Sequence, residues 1–146
     1  MPEKATLARA RRDKRQGKSP STQAGEFVRE EIHHIREGKH GAASAKQAIA
    51  IGLSKARRAG VDLPPSRSAR PGTKRSAASA SSRAGKPVSP RRSRAARAAL
   101  KHEGRKAASG TALSRQARSA ARKRSASSRS AAAKKAAKTR RRRAQA

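Results

Sequence analysis

The chain has 146 residues, 40 Lys or Arg against 8 Asp or Glu, a formal net charge of +32 and an aromatic content of 1%. With no Cys it has no disulfides, thiolate metal centres or Cys nucleophiles, and its fourteen large apolar residues (V, I, L, M, F) exclude a large core. No apolar run approaches the roughly 18 residues of a membrane span.

Residues 1–20 read as a basic arm, with seven Lys or Arg against Glu3 and Asp13, net +5. The stretch lacks the apolar segment of a secretory signal, and its two acids argue against a transit peptide. A DNA-contacting arm is the simpler reading. Ser19-Pro20-Ser21-Thr22 then supplies a turn and a helix start.

Residues 21–64 hold nine of the large apolar side chains and a net charge of only +2, from seven basic and five acidic residues. The spacing of Val28, Ile32 and Ile35, with Ala24 and Phe27 beside them, predicts a helix from about Gln23 to Glu37, closed by Gly38. Ser44-Ala45-Lys46-Gln47 fits an S-x-x-Q capping box that opens a second helix. Ala45, Ala48, Ile49, Gly52, Leu53 and Ala56 line one face of it, and Gly60 ends it. Gly52 costs about 1 kcal/mol relative to Ala inside a helix, which a close approach of the first helix would offset. The expectation is a tightly packed helical hairpin with its loop at 38–41 and with Val61 and Leu63 folding back over the open end. Its core or partner face is Phe27, Val28, Ile32, Ile35, Ile49, Gly52 and Leu53. A unit of about 44 residues is marginal alone, so self-association through that face is expected.

After Leu63-Pro64-Pro65 the composition changes abruptly. Residues 65–146 carry 26 Lys or Arg and one acid, Glu103, a formal +25; Ala contributes 23 residues and Ser 15. Val88, Leu100 and Leu113 are the only large apolar side chains there. The expectation is a low-complexity tail, disordered or conditionally helical. Arg91 to Lys101 and Thr111 to Lys123 are the pieces that would become helical once phosphates remove the repulsion.

The tail is the strongest functional signal. Each Lys or Arg that meets a phosphate releases condensed counterions, and 26 Arg against 14 Lys favour bidentate phosphate contacts. The bland alternative, a solubilising tail, does not need so much charge. The expected nucleic-acid contacts are Arg91, Arg92, Arg94, Arg97, Arg115, Arg118, Arg122, Lys123, Arg124, Lys134, Lys135, Lys138, Arg140, Arg141, Arg142 and Arg143. Ser89-Pro90-Arg91-Arg92 looks like the S-P-basic-basic turns of some histone tails, although a plain linker turn explains it equally well. With no Tyr or Trp the chain lacks a stacking platform for unpaired bases, which favours duplex DNA, with RNA the alternative.

Glu30, Glu31, His33 and His34 form two overlapping E-x-x-H pairs, a spacing found in di-iron bundles. On one short helix a solvated face is the expected reading, with Glu30–His34 as a local pair and His40 in the loop. No metal and no cofactor are expected. There is no phosphate loop, nucleophile elbow or pocket-forming acid pair, so no enzyme is expected either.

The stretch Gly25-Glu26-Phe27-Val28-Arg29-Glu30-Glu31-Ile32, then Lys39-His40-Gly41, then Lys46 to Gly60 resembles an uncharacterised family of small basic bacterial proteins with a K-Q-A-I-A-I core phrase. Its members are described as a domain of unknown function or as DNA-binding proteins. The resemblance covers about a third of the chain, implies a bacterial source and carries no known activity. The tail, with Ala131-Ala132-Ala133-Lys134-Lys135-Ala136-Ala137-Lys138, is similar in composition to linker-histone tails and histone-like nucleoid proteins, but the winged-helix domain of linker histones is missing.

The sequence therefore predicts a mostly α and disordered protein of three parts: arm 1–20, helical hairpin 21–64 and basic tail 65–146. The function expected is sequence-tolerant DNA binding and compaction in a bacterial nucleoid or cytoplasm, without membrane binding. The alternatives are an RNA- or ribosome-associated protein and an adaptor whose hairpin holds a protein partner. A further expectation is that Glu26, Glu30, Glu31 and Glu37 pair with the tail in the free protein and are displaced by DNA.

Overall fold

A computed structural model describes residues 2–65 and 69–145, the side chain of Arg143 excepted. Helices α1 (Lys4–Arg15), α2 (Pro20–Arg36), α3 (Ala45–Arg58), α4 (Pro71–Ser81), α5 (Pro90–Lys101), α6 (Gly110–Arg122) and α7 (Ala126–Ala144) follow one another, with a 3-10 turn at Lys106–Ala108 before α6. The described residues contain no strand.

Helices α2 and α3 form the predicted hairpin at the centre. The Ser19 side chain accepts from the Thr22 N–H, and Pro20 takes the first helical position, where its missing donor costs nothing. Ser44 Oγ accepts from the Gln47 N–H at 3.1 Å. Gln47 Oε1 accepts from the N–H of Ala43 at 2.7 Å, so the reciprocal half of the box reaches one residue further upstream than the motif implies. Gly38 and Gly60 have φ of +78° and +86°, the left-handed conformation in which a glycine avoids the strain of a Cβ. Gly52 faces the backbone of α2: a Cβ there would lie 2.7 Å from Val28 Cα. The expected close approach is therefore present and explains why a poor helix former occupies this position.

The hairpin buries two apolar clusters, one on each side, and each is completed by other helices. One joins Ala24, Phe27 and Ala56 to Ala10 of α1 and to Val61, with Leu7, Leu53 and Leu63 packed against it. Val61 and Leu63 do fold back over the open end. The other joins Ile32, Ile35, Ala42 and Ala48 to Ala107 and Ala108 of the 3-10 turn, with Val28 and Leu113 alongside. The basic arm is thus a helix docked on α2, fastened by Arg9 Nε to Glu26 Oε2 at 2.5 Å.

The expected self-association face is partly covered by the chain itself. Ile35 is fully buried, Ile49 and Leu53 are half-buried, and the chain's own α1, 3-10 turn and α6 lie on the clusters to which Ile35 and Leu53 belong. Val88 is the one large apolar side chain exposed among the described residues.

The second correction concerns the tail, expected to be disordered or helical only on a polyanion. It is helical from α4 to α7. Alanine supplies the reason: it is the best helix former and loses no side-chain entropy on burial. Ala77 and Ala80 of α4 are buried, and α4 packs on α3. Ala107 and Ala108 dock the 3-10 turn, where Arg36 Nε donates to the Ala108 carbonyl at 2.9 Å. The α2–α3 loop takes the end of α5 by backbone contacts: Gly41 N–H to Leu100 O at 2.8 Å and Ala42 N–H to Gly104 O at 3.1 Å. A Cβ at Gly41 would fall inside the Glu103 carbonyl. Helix α7 has 19 residues, beyond the ~12–15 at which an Ala-rich helix becomes marginal alone, and its described side chains are exposed apart from the half-buried Ser128.

Candidate nucleic-acid interface

Among the described residues, six of the eight acids are held in ion pairs, and every partner lies between residues 9 and 55. Glu26 pairs with Arg9, Asp13 with Lys18, Glu37 with Lys39, and Glu30 with Lys55. The expected pairing of these glutamates with the tail is absent among the described residues. No described Lys or Arg beyond residue 65 is within ion-pair distance of a carboxylate. Among the described residues, no carboxylate is paired with the cations of the C-terminal helices.

Every predicted contact residue whose side chain is described is exposed. Arg91, Arg92, Arg94 and Arg97 lie on α5. Arg115, Arg118 and Arg122 lie on α6, and Lys123 and Arg124 follow it. Lys134, Lys135, Lys138, Arg140, Arg141 and Arg142 lie on α7; the side chain of Arg143 is outside the described set. Ser89-Pro90-Arg91-Arg92 is a helix start, with Ser89 at the cap position and Pro90 first in the helix. Its two arginines sit at the positive end of the helix dipole, an unfavourable place that a phosphate would relieve.

Helix α6 has the most organised basic face. Arg115, Arg118 and Arg122 recur at i, i+3 and i+7, so they share one side, opposite the side on which Leu113 packs against the core. With Lys123, Thr111, Ser114 and Ser119 they line an open concavity of about 850 Å³. Its walls offer cations and hydroxyls, a donor set suited to phosphate oxygens.

The E-x-x-H segment is not the solvated face that the sequence suggests. Glu31 is fully buried, Glu30 is 4% exposed, and only His33 faces solvent. Glu30 does not pair with His34. Its Oε2 accepts from the Glu3 N–H at 3.0 Å, and its Oε1 lies 3.5 Å from Lys55 Nζ. His34 Nε2 bonds Glu3 Oε1 at 2.8 Å. That hydrogen bond, opposed by burial and helped by Lys39, holds the Glu3 carboxyl below the usual glutamate range. The Lys39 ammonium is held above its ordinary value, first by its bond to Glu37. His40 Nε2 lies 3.2 Å from Glu31 Oε1, and Lys55 Nζ lies 2.6 Å from Glu31 Oε2. Both contacts are at ion-pair distance, yet neither has hydrogen-bond geometry, so both Glu31 oxygens lack a directed donor. The E-x-x-H spacing was the one sequence signal for this cluster. Glu3, His40 and Lys55 come from other elements and carry no local mark.

A family model described as "Family of unknown function (DUF6496)" matches residues 8–67, under half of the chain. The chain is similar to that family over most of α1, the hairpin and the residues just after it. No curated protein matches, and no solved structure matches. No helix among the described residues is long and apolar enough to cross a membrane.

Proposed function

We propose that the protein binds duplex DNA through phosphate contacts of its C-terminal helices, without sequence preference, and compacts it in the manner of a histone-like nucleoid protein. The observation that carries this reading is the segregation of charge: six acids are paired within the N-terminal part of the chain, while α5, α6 and α7 present exposed cations with no carboxylate partner among the described residues. Phe27, the one Phe in a chain without Tyr or Trp, is fully buried, so no benzene or indole ring is free to stack on an unpaired base. That supports duplex over single-stranded partners. Three basic helices separated by turns can engage separate duplex segments at high effective concentration, so compaction does not need self-association of the hairpin.

Affinity of the full chain across a salt series tests this, with duplex DNA and structured RNA of equal charge as ligands. Ten phosphate contacts give a log–log slope of about −9. The expected result is a slope of that order and comparable affinity for unrelated DNA sequences. A slope shallower than about −3, or strong preference for RNA, overturns it.

A further inference from the structure

We infer that Glu31, His34 and His40 form a binding site for a single divalent transition-metal ion, zinc by its donor set, which staples the α2–α3 loop to α2. One ligand atom from each of these three residues lies within 4.8 Å of the others. Zinc takes nitrogen and carboxylate oxygen at about 2.0–2.2 Å, which places neighbouring donors about 3.4 Å apart in a tetrahedron. The His40 Nε2 to Glu31 Oε1 separation is 3.2 Å, so this edge is already at that spacing.

Three further features point the same way. First, Glu31 is fully buried, and although Lys55 Nζ lies 2.6 Å from its Oε2, no directed hydrogen bond reaches either oxygen, so the Oε1 side faces only the His40 imidazole. Second, both imidazoles are oriented from outside the cluster. His40 Nδ1 lies 3.0 Å from the Gly41 carbonyl; an N–H there would donate to that oxygen and leave Nε2, the atom facing Glu31, with its lone pair. His34 Nε2 is engaged by the Glu3 carboxylate, which leaves its other nitrogen. A second-shell oxygen fixing the far nitrogen is the usual support of a metal-bound histidine. Third, the cluster is electronegative within a strongly cationic chain. Glu3, Glu30, Glu31 and Glu37 are joined by ion pairs to two cations, Lys39 and Lys55. Arg29 lines the same pocket as Glu3, Glu30 and Glu37, and Arg9 beside it is offset by Glu26, so with neutral imidazoles the group carries a formal −1 (three cations against four acids), which still attracts a cation.

Lys55 touches Glu31 Oε2 and also has Glu30 within reach, so it can remain beside the site while the ion occupies the Oε1 side. Its ammonium still opposes a second cation at close range, and it therefore sets the affinity. Three protein ligands leave the fourth tetrahedral position for water.

The test uses the full chain, stripped with a chelator and titrated with Zn²⁺ by calorimetry, with tetrahedral Co²⁺ absorption as an independent signature. The expected result is one ion per chain, a micromolar or tighter dissociation constant, and a raised thermal midpoint that chelator reverses. Glu31→Gln and His40→Ala lose about thirtyfold or more in affinity, as the loss of a ligand implies. His33→Ala and His102→Ala, which change the two histidines outside the site, leave it unchanged. Lys55→Met tightens binding about tenfold. This last variant keeps the proposal testable even if the ligand variants fail to fold. Absence of saturable binding by the helical wild-type chain overturns the proposal, as does equal weakening by His33→Ala and His40→Ala. So does a Lys55→Met variant that binds no more tightly.

Discussion

The helices before residue 65 and those after it solve the same problem, how to be helical in water, by opposite means. In α1 to α3, large apolar residues interlock and nearly every acid is paired; Phe27 and Ile35 are fully buried and Gly52 lets two backbones meet. In α4 to α7, alanine propensity supplies the helix and a few buried alanines supply the docking, while the charges are left exposed. The contrast teaches that stability and exposed positive charge are housed in different residues. Substitutions should therefore move one without the other.

The largest expected effect lies on the basic side. Replacing Arg115, Arg118 and Arg122 by Gln should make the salt slope of DNA binding shallower by about three, and affinity at low salt should fall by several orders of magnitude. Circular dichroism melting should show an unchanged midpoint, because these side chains are exposed. A large fall in midpoint would break the separation.

The reverse case is Gly52→Ala. Helix propensity alone would gain about 1 kcal/mol. The added methyl meets Val28 Cα at 2.7 Å, and overpacking at a backbone contact costs about 1–3 kcal/mol, so denaturant titration should show a net loss. The salt slope should not change. Ser44→Ala removes the acceptor for the Gln47 N–H and should cost about 1 kcal/mol by the same titration, again without effect on DNA. Smallest is Glu26→Gln. Its partner Arg9 is a third exposed, and the pair is worth well under 1 kcal/mol after screening. Freeing Arg9 should shift DNA affinity only slightly at low salt, measured by fluorescence anisotropy.

The hairpin was legible in the sequence because its signals are local. The S-x-x-Q box, the glycines at 38 and 60 and the small row Ala48, Gly52, Ala56 each report on residues within a turn or two. The docking of α1 and α4 was not, because Ala10, Ala77 and Ala80 are the contacts and alanine marks no period in a chain full of alanine. Leu113 and the helix around it were visible; the 3-10 turn that carries Ala107 and Ala108 beneath α2 was not. The basic surface could be read from composition, since charge needs no geometry to be exposed. The Glu31 cluster could not. Its glutamate sits at the edge of the apolar stripe, and what decides its burial is His40 and Lys55, nine and 24 residues further on.

Helix α5 buries no residue, and it joins the α2–α3 loop through two backbone hydrogen bonds, Gly41 to Leu100 in its last turn and Ala42 to Gly104 just beyond it. It is thus a lever with a short hinge. A pull on its arginines would be delivered to the peptide that follows His40. Tension on the outer surface and the position of an imidazole beside Glu31 share one mechanical path, and its stiffness rests on a glycine that admits no side chain.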